Sequence, residues 1–105
     1  MNYVNSVTIT GLVHHLSQKK GCEYFPFSIR HENLWTDGTN RKDFLNARAF
    51  PSEVQELVKS LPENAPIRVY GTLRSSKGSG ELYLAVLKVE ALSSLPPQPE
   101  NSVEL

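Results

Sequence analysis

The sequence predicts an all-β domain of five strands closed into a barrel, with one helix between the third and fourth strands. Three observations carry this. Apolar residues repeat with period two through five separate segments, which is the strand period. One segment alone carries them at helical spacing. The chain has 105 residues, 39% of them hydrophobic, so it holds one modest core and one domain. Five short strands offer too little surface for a two-sheet sandwich, and closure removes the exposed edges.

The elements follow in order. In the first strand Val7, Ile9, Gly11 and Val13 share one face, and Thr8, Thr10, Leu12 and His14 the other. Residues 17–21 are polar, end in glycine and read as a loop. Phe25, Phe27 and Ile29 then alternate with Tyr24, Pro26, Ser28 and Arg30, and Pro26 marks an edge or a bulge. Residues 33–42 contain Asp37-Gly38, a turn signal, and read as a long loop. The third strand is expected over residues 43–50, the fourth over 67–74 and the fifth over 81–92. Between the third and fourth, Val54, Leu57, Val58 and Leu61 stand at i, i+3, i+4 and i+7. Ser52 with Gln55 predicts a capping box, and Pro62 and Pro66 end the helix. Gly11 and Gly71 interrupt strands and mark barrel corners. Strand, strand, strand, helix, strand, strand is the order of the OB-fold. The domain is expected over residues 1–92, with a short disordered tail over 93–105.

Composition narrows the function classes. Eleven Lys+Arg balance eleven Asp+Glu, which excludes a bulk polycation of the histone type. The apolar runs are too short to span a membrane, and no signal-peptide pattern opens the chain. A single cysteine, Cys22, allows no intrachain disulfide and fits a reducing, cytoplasmic setting. Catalysis is not expected. His14 and His15 are adjacent, so on a strand they face opposite sides, a poor geometry for a shared metal or a catalytic pair. Neither a phosphate-loop pattern nor a nucleophile elbow is present, and no cofactor is implied.

The third strand carries the strongest functional signal. Leu45, Ala47 and Ala49 face inward, leaving Phe44, Asn46, Arg48 and Phe50 outward. Aromatic rings interleaved with a guanidinium suit unpaired bases and phosphates. The competing reading is that one Phe packs beneath the helix or a second subunit. Trp35 lies in a polar loop, either as a contact for a ligand or as an anchor folded onto the core. On the fourth strand Ile67, Val69 and Leu73 are expected inside, with Arg68, Tyr70, Thr72 and Arg74 outside. The following loop, residues 75–80, carries Lys77; it either closes over an extended ligand or simply connects two strands. The fifth strand is apolar on both faces, which predicts self-association.

At this point the chain resembles the bacterial single-stranded DNA-binding protein family over roughly residues 2–92. Asn5-Ser6-Val7-Thr8-Ile9-Thr10-Gly11-Leu12 resembles that family's first strand, and Phe27-Ser28-Ile29 its second. The stretch from Asp43-Phe44 through Phe50 to Glu53 resembles its aromatic third strand. Ile67-Arg68-Val69-Tyr70-Gly71-Thr72-Leu73-Arg74 resembles its fourth. The resemblance implies stacking by Trp35, Phe44 and Phe50, a basic contact at Arg74, and dimers or tetramers. A further family tryptophan is missing near Gly78, as are the glycine-rich linker and the acidic, phenylalanine-ended tail. The chain also looks like the primosomal replication protein n subfamily and like the small single-strand-binding-like proteins of cyanobacteria and plastids.

Two functions are carried forward. The first is binding of single-stranded DNA, with RNA chemically equivalent at a stacking platform, in replication, recombination or repair. Trp35, Phe44 and Phe50 would stack, with Arg48, Arg74, Lys77 and Arg30 on phosphates and Tyr70 beside them. The alternative is an OB module for replication or primosome proteins, with weak DNA affinity. The charge distribution suits the first. Residues 1–50 and 67–80 hold nine Lys/Arg against four Asp/Glu, a net +5, and the remainder cancels it.

Overall fold

A computed structural model of the chain describes residues 3–17 and 23–96. Five strands, β1 (Val7–His15), β2 (Phe25–Leu34), β3 (Asn40–Ala49), β4 (Pro66–Ser75) and β5 (Leu82–Ala91), close in the order β1-β2-β3-β5-β4. One helix among the described residues, α1 (Ser52–Ser60), lies between β3 and β4. This is the OB-fold that the element order predicts. All neighbours pair antiparallel except β3 and β5, whose short parallel ladder of Ala47↔Leu84, Arg48↔Ala85 and Ala49↔Val86 closes the barrel.

Period-two alternation decides what lies inside. Val13, Phe27, Ile29, Ala49, Ile67, Val69 and Val86 are completely buried, and Ala47 nearly so. The helix adds Val54 and Val58 to this core, with Leu57 and Leu61 packed against it. Gly11 sits where β1 changes partners, pairing with β2 from Leu12 onward and with β4 from Val7 to Leu12. A Cβ there would lie 2.6 Å from the Arg30 carbonyl oxygen, so the corner needs glycine. Asn5 extends the β1 edge. Its side chain donates to the Leu73 carbonyl at 2.8 Å and accepts from the Leu73 N–H at 2.9 Å.

The structure corrects several expectations. The long loop over residues 33–42 is instead a hairpin: β2 and β3 stay paired out to Leu34↔Asn40, leaving only residues 35–39 as the turn. Arg41 and Lys42 are therefore strand residues. The capping box does not form. Pro51, with φ −63° and ψ 137°, is the N-cap, so Ser52 is already helical and its hydroxyl caps nothing. Gln55 reaches back instead, donating to the carbonyls of Phe50 at 3.0 Å and Glu23 at 3.2 Å. Leu73 is 47% exposed rather than inside, because β4 runs past the end of the core there. The strict alternation expected of β5 fails at a bulge. Pairing steps from Tyr70↔Lys88 to Gly71↔Val86, leaving Leu87 as the extra residue. Val86 and Val89, three apart, both point inward, and Leu87 is exposed. Pro26 behaves as expected, since β1 pairs with β2 only from Phe27 onward. Cys22 and residues 97–105 of the expected tail lie outside the described residues.

Candidate nucleic-acid interface

The outward face of β3 has the predicted pattern. Leu45, Ala47 and Ala49 turn inward, while Phe44 stays 57% exposed and Phe50 39% exposed. Phe44 is buttressed from β1. Its ring meets that of His14 edge to face, with centroids 5.5 Å apart. His14 is held by Glu63, whose carboxylate lies 2.6 Å from Nδ1 and accepts the His15 backbone N–H at 2.8 Å. That backbone bond, then the His14 side chain, hold the Glu63 carboxyl below the usual range. His15 turns the other way, with Nε2 donating to the Leu61 carbonyl at 2.7 Å. The two histidines thus divide between two faces, as adjacent strand residues must. Among the described residues no cluster of His, Cys, Asp and Glu could hold a metal ion.

Arg30 is the cross-strand partner of Phe44. Its guanidinium lies 3.7 Å from Glu32, and its buried Nε has no hydrogen-bond partner. Further along β3, Arg48 is clamped between two tyrosines. Its Cζ lies 3.9 Å from the Tyr83 ring centroid and 4.7 Å from that of Tyr24. Tyr24 in turn contacts Phe50, with centroids 5.5 Å apart. Arg74 is the cross-strand partner of Tyr83, so it projects on the same side of the sheet. Arg48, Phe50 and Arg74, singled out in the sequence, therefore fall in one band with Tyr24 and Tyr83. Beside Arg48 the band encloses a groove of about 280 Å³, lined among others by Tyr24, Pro26, Asn46, Glu81 and Tyr83.

Trp35 stands at the tip of the β2–β3 hairpin, 48% exposed, so it is not folded onto the core. The turn is closed by the Trp35 N–H donating to the Thr39 carbonyl at 2.8 Å and the Gly38 N–H to the Trp35 carbonyl at 2.9 Å. Gly38 has φ +85°, which a side chain would resist. Arg41 lies over the indole, 4.7 Å from its centroid. Lys77 is exposed in the β4–β5 connection, a tight hairpin closed by the Ser76 N–H donating to the Glu81 carbonyl at 2.8 Å. Tyr70 is not brought to this face. It stands on β4, its hydroxyl donating to Glu90 at 2.6 Å, with Arg68 on the same carboxylate at 3.2 Å.

Sequence reasoning missed Tyr24 and Tyr83 as site residues. Both alternate outward beside buried neighbours, and that was the available signal. What joins them is the parallel β3–β5 closure, which local pattern does not encode.

No protein-family model matches the chain, and no curated protein matches it in sequence. Solved structures do share its fold. A Plasmodium falciparum SSB in complex with ssDNA superposes with a TM-score of 0.69 at 14% identity, over 89% of this chain and 98% of that one. A small single-stranded DNA binding protein from Mycoplasma pneumoniae gives 0.68 at 14%, over 90% and 100%. The dimeric N-terminal domain of PriB from Thermoanaerobacter tencongensis gives 0.58 at 20%, over 86% and 98%. These neighbours are of two of the kinds that the sequence motifs resemble, and they span the same single barrel.

Proposed function

We propose that this protein binds single-stranded DNA by base stacking and phosphate contact, in replication, recombination or repair, and catalyses no reaction. One observation carries the reading: Trp35, Phe44 and Phe50 are half-exposed aromatics along a single hairpin arm that also carries Arg41, Lys42 and Arg48. Large exposed aromatics are costly in water unless a partner covers them, and every base has a face to stack on. From Phe44 to Phe50 the strand spans about 20 Å at its usual rise, so the rings are spaced for separate bases along an extended strand. Arg74 and Lys77 stand at the far side of the band, where a phosphate backbone leaving the groove would meet them. Neighbours of the same fold that bind ssDNA support the reading.

The exposed Leu73, Leu82 and Leu87 support self-association as a dimer or tetramer, which light scattering with and without oligo-dT would measure. The binding itself is tested by Trp35 fluorescence, since this is the single tryptophan. Titration with oligo-dT at low salt is expected to quench it. Phe44→Ala with Phe50→Ala should weaken binding by about 1–3 kcal/mol per lost stack. No quenching and no anisotropy change at low salt would sink the proposal.

A further inference from the structure

We infer that the groove beside Arg48 is a single-base pocket that prefers guanine. This rests on the single-strand reading and adds a base preference to a surface otherwise tolerant of sequence. The first ground is the state of Arg48. With Tyr83 at 3.9 Å and Tyr24 at 4.7 Å from its Cζ, the guanidinium is held against two rings. These contacts restrict its rotamers, and its planar fork offers paired donors to two adjacent acceptors.

The second ground is what shares the groove. Its walls include Asn46 and Glu81. Among the described residues neither side chain has a hydrogen-bond partner, so both are available to a ligand. A carboxylate here repels phosphate and asks for N–H donors. A ligand satisfying Arg48 and Glu81 together must present two acceptors on one edge and donors on the next. Guanine does so, with O6 and N7 for the fork and N1–H and the N2 amino group for the carboxylate. Cytosine offers the carboxylate one amino group. Thymine sets a single N–H between two carbonyls, and adenine lacks the acceptor pair.

The third ground is size and shape. About 280 Å³ is near the lower limit for ligand pockets and suits one base rather than a length of strand. A base paired edge-on to Arg48 would lie in the plane of the fork, within the groove that Tyr24 and Tyr83 also line.

The experiment is an anisotropy competition with the full chain, using dT15 and the same strand with one central dG, dC or dA. The dG strand is expected to compete about tenfold better than dT15, within the range set by one bidentate base contact. Glu81→Ala should bring the dG and dT strands within twofold of each other. Arg48→Lys, which keeps the charge but not the fork, should also erase the preference. Phe44→Ala should weaken all strands alike and keep it. Equal affinity for the dG and dT strands, or a preference that survives Glu81→Ala, overturns the base pocket alone. Failure of every strand to bind overturns the pocket together with the single-strand reading.

Discussion

Glu63 links the binding face to the fold through one carboxylate. It joins the turn after the helix to β1, taking the His15 N–H at 2.8 Å and His14 Nδ1 at 2.6 Å. His14 then supports Phe44 edge-on. Charged acceptors form stronger hydrogen bonds than neutral ones, so the folded state favours the ionised carboxylate. Its pKa is accordingly held below the ordinary 4.5. The sign follows from linkage: a depressed folded pKa adds stability that is fully present above about pH 4.5 and lost as pH falls through the folded value. Glu63→Gln should therefore lower Tm at pH 7, with the gap to the parent narrowing as pH approaches 3. Thermal melts across this range test it, and a gap independent of pH would show that the carboxylate's charge contributes nothing. None of this was legible in the sequence. His14-His15 read only as a pair facing opposite ways, and Glu63 lies 48 residues from His15.

At the scale of elements, β4 and β5 meet at a bulge that the barrel cannot do without. Gly71 passes so close to β5 that an added Cβ would lie 2.1 Å from the Ala85 carbonyl oxygen. That neighbour is backbone and cannot swing aside. Gly71→Ala must separate the strands at the register shift and disturb the closure in which Ala85 and Val86 also pair with β3. A cost of about 1–3 kcal/mol is expected from overpacking, read as a fall in the urea midpoint with unchanged slope. Wild-type stability for this variant would mean that the strands part there without loss. The position of this glycine was visible in the sequence as an interruption of period two. The bulge was not, because its extra residue Leu87 is apolar and looks like a core position. Leu73 misled for the same reason, since alternation specifies a face and not whether the core extends beneath it. The hairpin arm was missed because polar residues 40–42 carry no apolar rhythm, yet backbone pairing with β2 continues through them. Inward faces, strand order and helix thus followed from pattern, whereas the cross-barrel contacts around Arg48 required the closed barrel.

For the whole molecule, zero net charge limits how the interface can work. Near the face Arg48 is already engaged by two tyrosines. On the far side Arg68 and Lys88 pair with Glu90, so they lend little to a strand. Among the described residues the cations best placed for phosphates are then Arg30, Arg41, Lys42, Arg74 and Lys77. Single-strand binding loses affinity with log-salt slope of about −0.7 per phosphate neutralised, so these five account for a slope of about −3.5 per subunit. Stacking, which salt affects little, must supply the rest of the affinity. Anisotropy titrations with dT15 between 25 and 200 mM salt measure the slope directly. A value between about −2 and −3.5 is expected if one subunit engages the strand. A slope twice as steep would mean that two subunits share one strand, placing part of the affinity in assembly rather than in the single barrel.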